Sequence, residues 1–222
     1  MSMKKTKRST VKRAPKRGHY DSETIHQILD NNHICHVALV YEGAPLVIPT
    51  LYGRKNDLLF IHGASISRLM TSLEQEMDLS ISIAKTTGLV LARSAFHHSL
   101  NYESVVLFGK GKLVADTDKE EALKAVSDHL IPDRWEEVRK PSPKELKATS
   151  VIAITLDEVT AKVRTGDPKD DKKDYDLPVW AGVVPIKEQY ESPIADTLLN
   201  PNITSPSPSI LKLIQPHKNL HL

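Results

Sequence analysis

Short apolar runs separated by polar turns dominate the chain and predict β-strands. The runs are rich in Val, Ile and Leu, and turn-forming residues lie between most of them. The predicted strands are residues 33–41, 44–52, 58–62, 79–84, 89–92, 105–108, 150–163 and 177–186. Because Pro45 and Pro49 cannot donate to a backbone ladder, we expect the second strand at a sheet edge or at a bulge.

Helical spacing of apolar residues predicts three helices. The first begins at residue 21, with Asp21 or Ser22 as its N-cap. The other two cover residues 64–76 and 116–130. Strands that outnumber helices in this way predict an α+β, mostly β fold. We expect six to eight antiparallel strands in a β-barrel, with two or three helices at its periphery.

The basic character of the chain is concentrated at its start. Eight Lys and Arg residues precede the first acid, Asp21, and without them the formal net charge of +2 becomes −6. We therefore divide the chain into a basic disordered tail (1–18), a barrel domain (19–187) and a tail rich in Pro, Ser and Asn (188–222). A basic tail can bind nucleic acid or a membrane surface, but a solvated leader is the simpler interpretation.

The single cysteine, Cys35, cannot form a disulfide within the chain, so the sequence does not indicate an oxidising compartment. Cys35 lies in the middle of a predicted strand, and a buried, inert thiol is the favoured interpretation. No apolar run approaches the ~20 residues that a membrane span needs. We expect a cytoplasmic protein that does not associate with membranes.

A polar insert, residues 94–104, lies between two of the apolar runs. Loops that rigid strands hold in place often carry binding groups. A metal site at His97 and His98 is disfavoured, because adjacent histidines in a strand point to opposite faces. Further ligands would have to come from His33, His36 or His62.

Residues 62–69, HGASISRL, have the local pattern of a phosphate site. A strand ends, a short turn follows, and a helix begins with Ser67 and Arg68 near its first turn. Helix N-terminal amides and an arginine fork favour an anion at such a position. Ordinary capping by Ser67 beside a surface arginine explains the spacing equally well. Neither a Rossmann glycine motif nor a P-loop is present.

Several strings, taken together, resemble the flavin-nucleotide-binding branch of the pyridoxamine 5′-phosphate oxidase-like proteins, which includes nitroimidazole-resistance reductases. They are IPTLYGR (48–54), LLFIHGASISR (58–68), LVLARSAFHHSLNYESVVLFGKGKL (89–113), HLIPDRWEEVR (129–139), KVRTG (162–166) and LPVWAG (177–182). The resemblance implies an FMN-binding split barrel that works as a homodimer, with the flavin in a groove between subunits.

The resemblance also implies a set of site residues. Strand residues along the flavin ring would be Ile48, Pro49, Thr50 and Tyr52; the phosphate would be held by His62, Ser67 and Arg68; Asn101, Tyr102 and Ser104 would line the ring, and Trp180 would reach it from the other subunit. His98 and Tyr102 are the candidate catalytic residues, because both can donate a proton near neutral pH. Glu103 stands where many relatives have arginine, which leaves that face of the pocket open to question.

These observations favour an FMN-dependent oxidoreductase acting on a small molecule whose identity the sequence does not give. A nicotinamide nucleotide is one candidate electron donor. A flavin carrier or sensor without turnover is the first alternative. A regulatory or nucleic-acid-binding protein that uses the basic tail is the second, and nucleic acid is the less favoured partner.

Overall fold

The computed structural model describes residues 3–215 and contains mostly short, antiparallel strands. The strands are β1 (Gly18–His19), β2 (Ile34–Tyr41), β3 (Ala44–Leu51), β4 (Gly53–Lys55), β5 (Leu58–Ala64), β6 (Asp78–Leu91), β7 (Ser99–Lys110), β8 (Lys112–Leu113), β9 (Thr149–Thr155), β10 (Glu158–Arg164) and β11 (Gly182–Pro185). The helices are α1 (Ser22–Asp30), α2 (Arg68–Leu73), α3 (Lys119–Leu130), α4 (Pro143–Ala148) and α5 (Pro208–Ile214). No helix in this part of the chain is long and apolar enough to cross a membrane.

Two sheets share one core. The larger has the order β1-β10-β7-β6-β2-β3, with β11 beside β6, and the smaller has the order β4-β5-β9-β8. The prolines of β3 are accommodated because β3 is an edge strand, as their position in the sequence predicts. The predicted α+β, mostly β class with peripheral helices is confirmed.

Alternating apolar residues of the long strands fill the core. Ile81 of β6 and Leu107 of β7 are fully buried and face one another across the ladder. Ile152 and Ile154 of β9 enter the same cluster from the smaller sheet. Helix α1 closes the cluster with its apolar face, and Asp21 caps it by accepting a hydrogen bond from Thr24 N at 2.8 Å, as predicted.

Four predicted strand boundaries are wrong: the predicted strand 177–186 is reduced to β11, which leaves out Trp180, and the other three differ for local reasons. The predicted strands 79–84 and 89–92 are one strand, β6, which ends at Leu91, because the polar residues between them pair with β7 across a bulge. Part of the insert, residues 99–104, is strand β7 rather than loop. Residues 150–163 form the two strands β9 and β10, which turn at Asp157 without glycine or proline.

The basic N-terminal segment is not a free tail, which corrects the expectation of disorder. Arg8 forms an ion pair with Glu158 of β10 at 2.6 Å, and Thr6 donates to the same carboxylate. Ser9 is buried, and β1 pairs with β10. In the C-terminal segment, residues 188–206 are exposed, and α5 returns to the body where Ser209 contacts Glu137. The rest of the predicted tail, residues 216–222, lies outside the described residues.

Candidate functional site

The loop between β6 and β7 is held in place by a carboxylate from another loop. Asp170 accepts hydrogen bonds from the backbone N–H groups of Arg93 (3.0 Å) and Ser94 (3.3 Å), and from the guanidinium of Arg93 (3.2 Å). Within the loop, Ser94 Oγ accepts from Phe96 N at 3.2 Å. These bonds lower the pKa of Asp170 despite the cost of burial, so the charged carboxylate holds the start of the loop through three contacts.

His98 is exposed at the end of this loop, and its tautomer follows from its contact. Nδ1 of His98 lies 3.0 Å from Ala92 N, which can only donate. A neutral His98 ring therefore carries its proton on Nε2. Tyr102, half-buried on β7, is four residues further along the chain. Both predicted donors are thus available at this end of the sheet.

Alternation along β7 settles where Glu103 points. Neighbouring residues of a strand face opposite sides of the sheet, so Glu103 shares a face with Asn101 and lies opposite Tyr102 and Ser104. Burial raises the pKa of Glu103, although the charge of Lys85 opposes this. The carboxylate that replaces the usual arginine is therefore directed away from Tyr102.

Two predicted flavin contacts are already committed to the protein. Asn101 is buried, accepts a hydrogen bond from Arg164 through Oδ1 and donates to Gly166 O at 3.2 Å. Ser104 Oγ donates to Lys162 O at 3.2 Å. Both side chains fasten β7 to the neighbouring strand and its loop. Arg164, which the sequence reasoning did not assign a role, is the buried cation at this junction.

The predicted phosphate segment contains both a cap and an unpaired cation. Ser67 Oγ accepts from Met70 N at 3.4 Å and so caps α2, as the simpler interpretation holds. Arg68 is exposed and lies over the ring of Tyr41, 5.7 Å from its centroid. Within residues 3–215 it has no carboxylate partner, so its guanidinium is available to an anion.

The predicted strand along the flavin divides into surface and core positions. Ile48, Pro49 and Thr50 are partly or fully exposed on the edge strand β3. Tyr52 is fully buried, and its hydroxyl donates to Leu29 O at 2.6 Å. Because that hydroxyl fastens α1 to the core, we leave Tyr52 out of the candidate site.

His62 differs from the expected phosphate ligand. Its Nδ1 atom is buried without a hydrogen-bond partner among the described residues, and burial lowers its pKa. The ring is therefore neutral at neutral pH and attracts a phosphate less than an imidazolium would. It lines a cavity of about 280 Å³ together with Leu123, Arg139, Glu145 and Thr149. A neutral imidazole with a free nitrogen is the form that binds metals.

Trp180 lies on the surface, with 65% of the residue exposed, which excludes the interpretation of a core tryptophan. Its ring lies against Gly182, where an added Cβ would approach the ring to 3.0 Å. Phe96 of the β6–β7 loop is 89% exposed as well. A single chain thus leaves two large aromatic side chains in water.

The candidate residues form two groups at opposite ends of the larger sheet. Ile48 lies in the same row as Leu107, through Val37 and Ile81. Asn101 is six residues from Leu107 along β7, or roughly 20 Å at the usual rise of a strand. Within one chain, the group near Arg68 and β3 therefore does not meet the group around His98 and Trp180.

The comparisons with known proteins agree on the family. The family described as pyridoxamine 5′-phosphate oxidase matches residues 21–163. The flavocytochrome Anf3 from Azotobacter vinelandii is 39% identical with a TM-score of 0.88, covering 94% of this chain and 97% of that one. A FAD and heme binding protein from Mycobacterium smegmatis is 34% identical with a TM-score of 0.86, covering 89% and 97%.

A putative 5-nitroimidazole antibiotic resistance protein from Bacteroides thetaiotaomicron shares the fold, with 24% identity and a TM-score of 0.56, covering 66% of this chain and 86% of that one. No curated protein matches the chain. The extent of the family match, together with the two relatives above 30% identity, is decisive. The chain belongs to the pyridoxamine 5′-phosphate oxidase family.

Proposed function

We propose that this protein binds a flavin and acts as an oxidoreductase on a small molecule. The observation that carries the proposal is the 39% identity to a flavocytochrome over 94% of the chain. FMN is the flavin that the sequence resemblance implies, whereas the relative from M. smegmatis is named for FAD. Arg68 suits either molecule, because both carry a ribityl phosphate that an unpaired guanidinium can bind.

We propose further that the working form is a homodimer. The two candidate groups lie at opposite ends of one sheet, so a two-fold pair of chains can place the Arg68 end of one against the Trp180 end of the other. Exposed Phe96 and Trp180 at one end, and exposed Val40 and Val47 at the other, supply apolar surface for such an interface. Static light scattering should then give about twice the chain mass of 24.8 kDa.

The two relatives above 30% identity are named for heme as well, and one feature of this chain fits a heme iron. His62 offers a neutral imidazole whose buried Nδ1 has no partner among residues 3–215. We propose that His62 would hold the heme iron through this nitrogen, in place of its predicted contact with the flavin phosphate. His62→Ala should abolish the Soret band and leave the flavin bands in place. His26→Ala, which removes a surface histidine paired with Asp57 at 3.0 Å, is the matched control.

A bound flavin would supply electron transfer in steps of one or two electrons. The residues of this chain would bind and orient the reactants and move protons. His98 holds a proton on Nε2 and Tyr102 on its hydroxyl, and both can donate to an acceptor bound at this end of the sheet. A nicotinamide nucleotide, acting directly or through a partner reductase, is the proposed source of electrons.

The first test is the cofactor content of the purified protein. We expect yellow protein, from which acid releases FAD or FMN. Arg68→Gln should weaken rebinding of that flavin by about 1.5–3 kcal/mol, the range of a charge-assisted hydrogen bond. Lys112→Gln, which removes an exposed lysine on β8, should leave the affinity unchanged. Apoprotein that takes up neither flavin would contradict the proposal.

The second test separates an enzyme from a carrier or sensor. Photoreduced protein is mixed anaerobically with nitroaromatic and quinone acceptors in a stopped-flow instrument. An enzyme should reoxidise faster than free flavin, and His98→Ala should slow it. Reoxidation no faster than that of free flavin, with no change on His98→Ala, would favour the carrier or sensor.

A further inference from the structure

Arg164, the last residue of β10, is a buried cation that no carboxylate of residues 3–215 neutralises. The residue is 7% exposed, and its guanidinium donates to Asn101 Oδ1, to Gly166 O at 3.4 Å and to Asp167 O at 3.4 Å. All three acceptors are neutral. Within residues 3–215, no Asp or Glu forms an ion pair with it. Buried charges in proteins are normally paired, because an unpaired one is costly.

The surroundings of Arg164 add positive charge. Arg164 borders a cavity of about 570 Å³ whose walls also carry Lys16, Arg17, His19 and Lys169, against a single carboxylate, Asp167. Burial lowers the pKa of Arg164, and the charge of Arg17 lowers it further. A cavity with four fixed cations and one acid is poorly matched to water alone and well matched to an anion of two or more charges.

Two backbone segments form the walls of this cavity, residues 16–19 on one side and residues 163–169 on the other. A short 3-10 turn, Pro15–Arg17, presents the two basic residues, and Gly18 directly after it pairs with Lys162 of β10. The opposite wall turns at Gly166, whose φ of +95° only glycine adopts without strain. The ordering of the basic N-terminal segment therefore positions its last two charges at the cavity.

We propose that this cavity binds a small phosphate-bearing molecule, with Arg164 as the anchoring residue and Arg17 as a second contact. Because Nη1 of Arg164 already donates twice to the protein, the edge left for two phosphate oxygens is that of Nε and Nη2. A monocarboxylate would leave most of the surrounding charge unbalanced, whereas a diphosphate would neutralise it. The volume lies within the range of small-molecule sites, about 300–1,000 Å³. The site goes beyond the flavin proposal, which assigns the flavin phosphate to Arg68.

Calorimetric titration of the purified protein with inorganic pyrophosphate tests the proposal, with adenosine as an uncharged control. We expect pyrophosphate to bind and adenosine not to. Arg164→Gln should weaken pyrophosphate at least tenfold, and Arg17→Gln, at a less buried position, threefold or more. Lys12→Gln changes an exposed cation of the same segment that does not line the cavity, and should alter the affinity less than twofold. The Arg17 variant keeps the test valid if Arg164→Gln fails to fold.

Three results would overturn the proposal. The first is no binding of pyrophosphate, or binding that neither variant changes. The second is flavin content that falls in the Arg164 and Arg17 variants as it does in Arg68→Gln, which would make the cavity part of the flavin site. The third is tight binding of a short DNA duplex that pyrophosphate does not displace. Because flavin content is measured separately, a protein without flavin could still bind pyrophosphate at Arg164.

Discussion

Arg93 and Arg164 both contact the segment between β10 and β11, but that segment provides a charged acceptor for Arg93 and only neutral acceptors for Arg164. Arg93 receives a carboxylate, Asp170, and its guanidinium also lies over the ring of Tyr175, 4.8 Å from the centroid. Arg164 receives only the backbone carbonyls of Gly166 and Asp167 and an amide oxygen from β7. The first arginine is neutralised inside the protein, and the second is not.

This difference separates a structural arginine from a binding arginine. Arg93 and Asp170 together place the β6–β7 loop, and neither has charge left over for a ligand. Arg164 has its hydrogen bonds but no countercharge, so a ligand can still supply the largest missing interaction. Removing the charge should therefore destabilise the protein more at Arg93, where it strands a carboxylate, than at Arg164, where relief of an unpaired buried charge partly offsets the loss of donors to Asn101 Oδ1 and two carbonyls.

The largest effect is expected from Asp170→Ala, which removes three acceptor contacts at once. Two backbone N–H groups and the Arg93 guanidinium lose their partner, and unpaired polar groups are costly. We expect the greatest loss of stability among the variants discussed here, measured by urea unfolding. Affinity for pyrophosphate should stay the same, because Asp170 does not line the Arg164 cavity. A variant as stable as the wild type would refute the structural role of Asp170.

The paired substitutions Arg93→Met and Arg164→Met test the comparison directly. Methionine keeps much of the apolar stem and removes only the charged fork. Arg93→Met strands the Asp170 carboxylate, so the Tm should fall by several degrees. Arg164→Met removes an uncompensated charge but leaves Asn101 Oδ1 without its donor, so its free energy of unfolding should fall less than that of Arg93→Met. Equal losses in both variants would remove the distinction between the two arginines.

Local patterns in the sequence predicted much of the fold. Apolar alternation located most strands, Asp21 marked the start of α1, and Pro45 and Pro49 placed β3 at an edge. The strand predictions failed where pairing between strands, rather than the local sequence, determined the structure. Polar residues 85–87 suggested a loop, yet they lie in β6 because β7 runs beside them. The turn at Asp157 contains neither glycine nor proline, so the sequence did not indicate it.

The site was less predictable, because its key properties depend on what packs around each residue. Arg164 lies in KVRTG, one of the strings that resemble the family. Its burial, however, depends on packing against the N-terminal segment, which is far from it in the sequence. The unpartnered nitrogen of His62 is equally invisible in a sequence. Arg68 was found from the local pattern of residues 62–69 and Trp180 through the resemblance, and the structure adds that both are exposed.

Acid should reduce the stabilising effect of Asp170 before it affects either arginine. The pKa of Asp170 is lowered from its ordinary 3.8, so its contribution is complete above that pH and is lost as the pH falls through the folded-state value. The difference in stability between wild type and Asp170→Ala should therefore shrink below about pH 4. Urea unfolding at pH 7, 5 and 3.5 would measure it, and a constant difference would contradict the charged-pair interpretation.

A second loss of stability, which the wild type and Asp170→Ala share, should begin at higher pH. Burial lowers the pKa of His129 from the ordinary 6.5, so the unfolded chain binds this proton first as the pH falls. Stability should therefore decrease below pH 6.5 in wild type and variant alike. Because the wild type and Asp170→Ala lose the same stability at pH 5, this loss does not obscure the effect of Asp170.

The smallest expected effect concerns the ring beneath Arg93. Tyr175 is about half exposed, and a cation over a ring at such a site contributes about 0.5–1 kcal/mol. Tyr175→Leu should lower the free energy of unfolding by that amount, whereas Tyr175→Phe keeps the ring and should lower it less. In an Arg93→Met background the leucine substitution should cost less, since the cation that it faced is gone. The double-mutant cycle by urea unfolding therefore isolates the ring contact. An unchanged cost in that background would assign the effect to packing alone and leave Asp170 as the partner that neutralises Arg93.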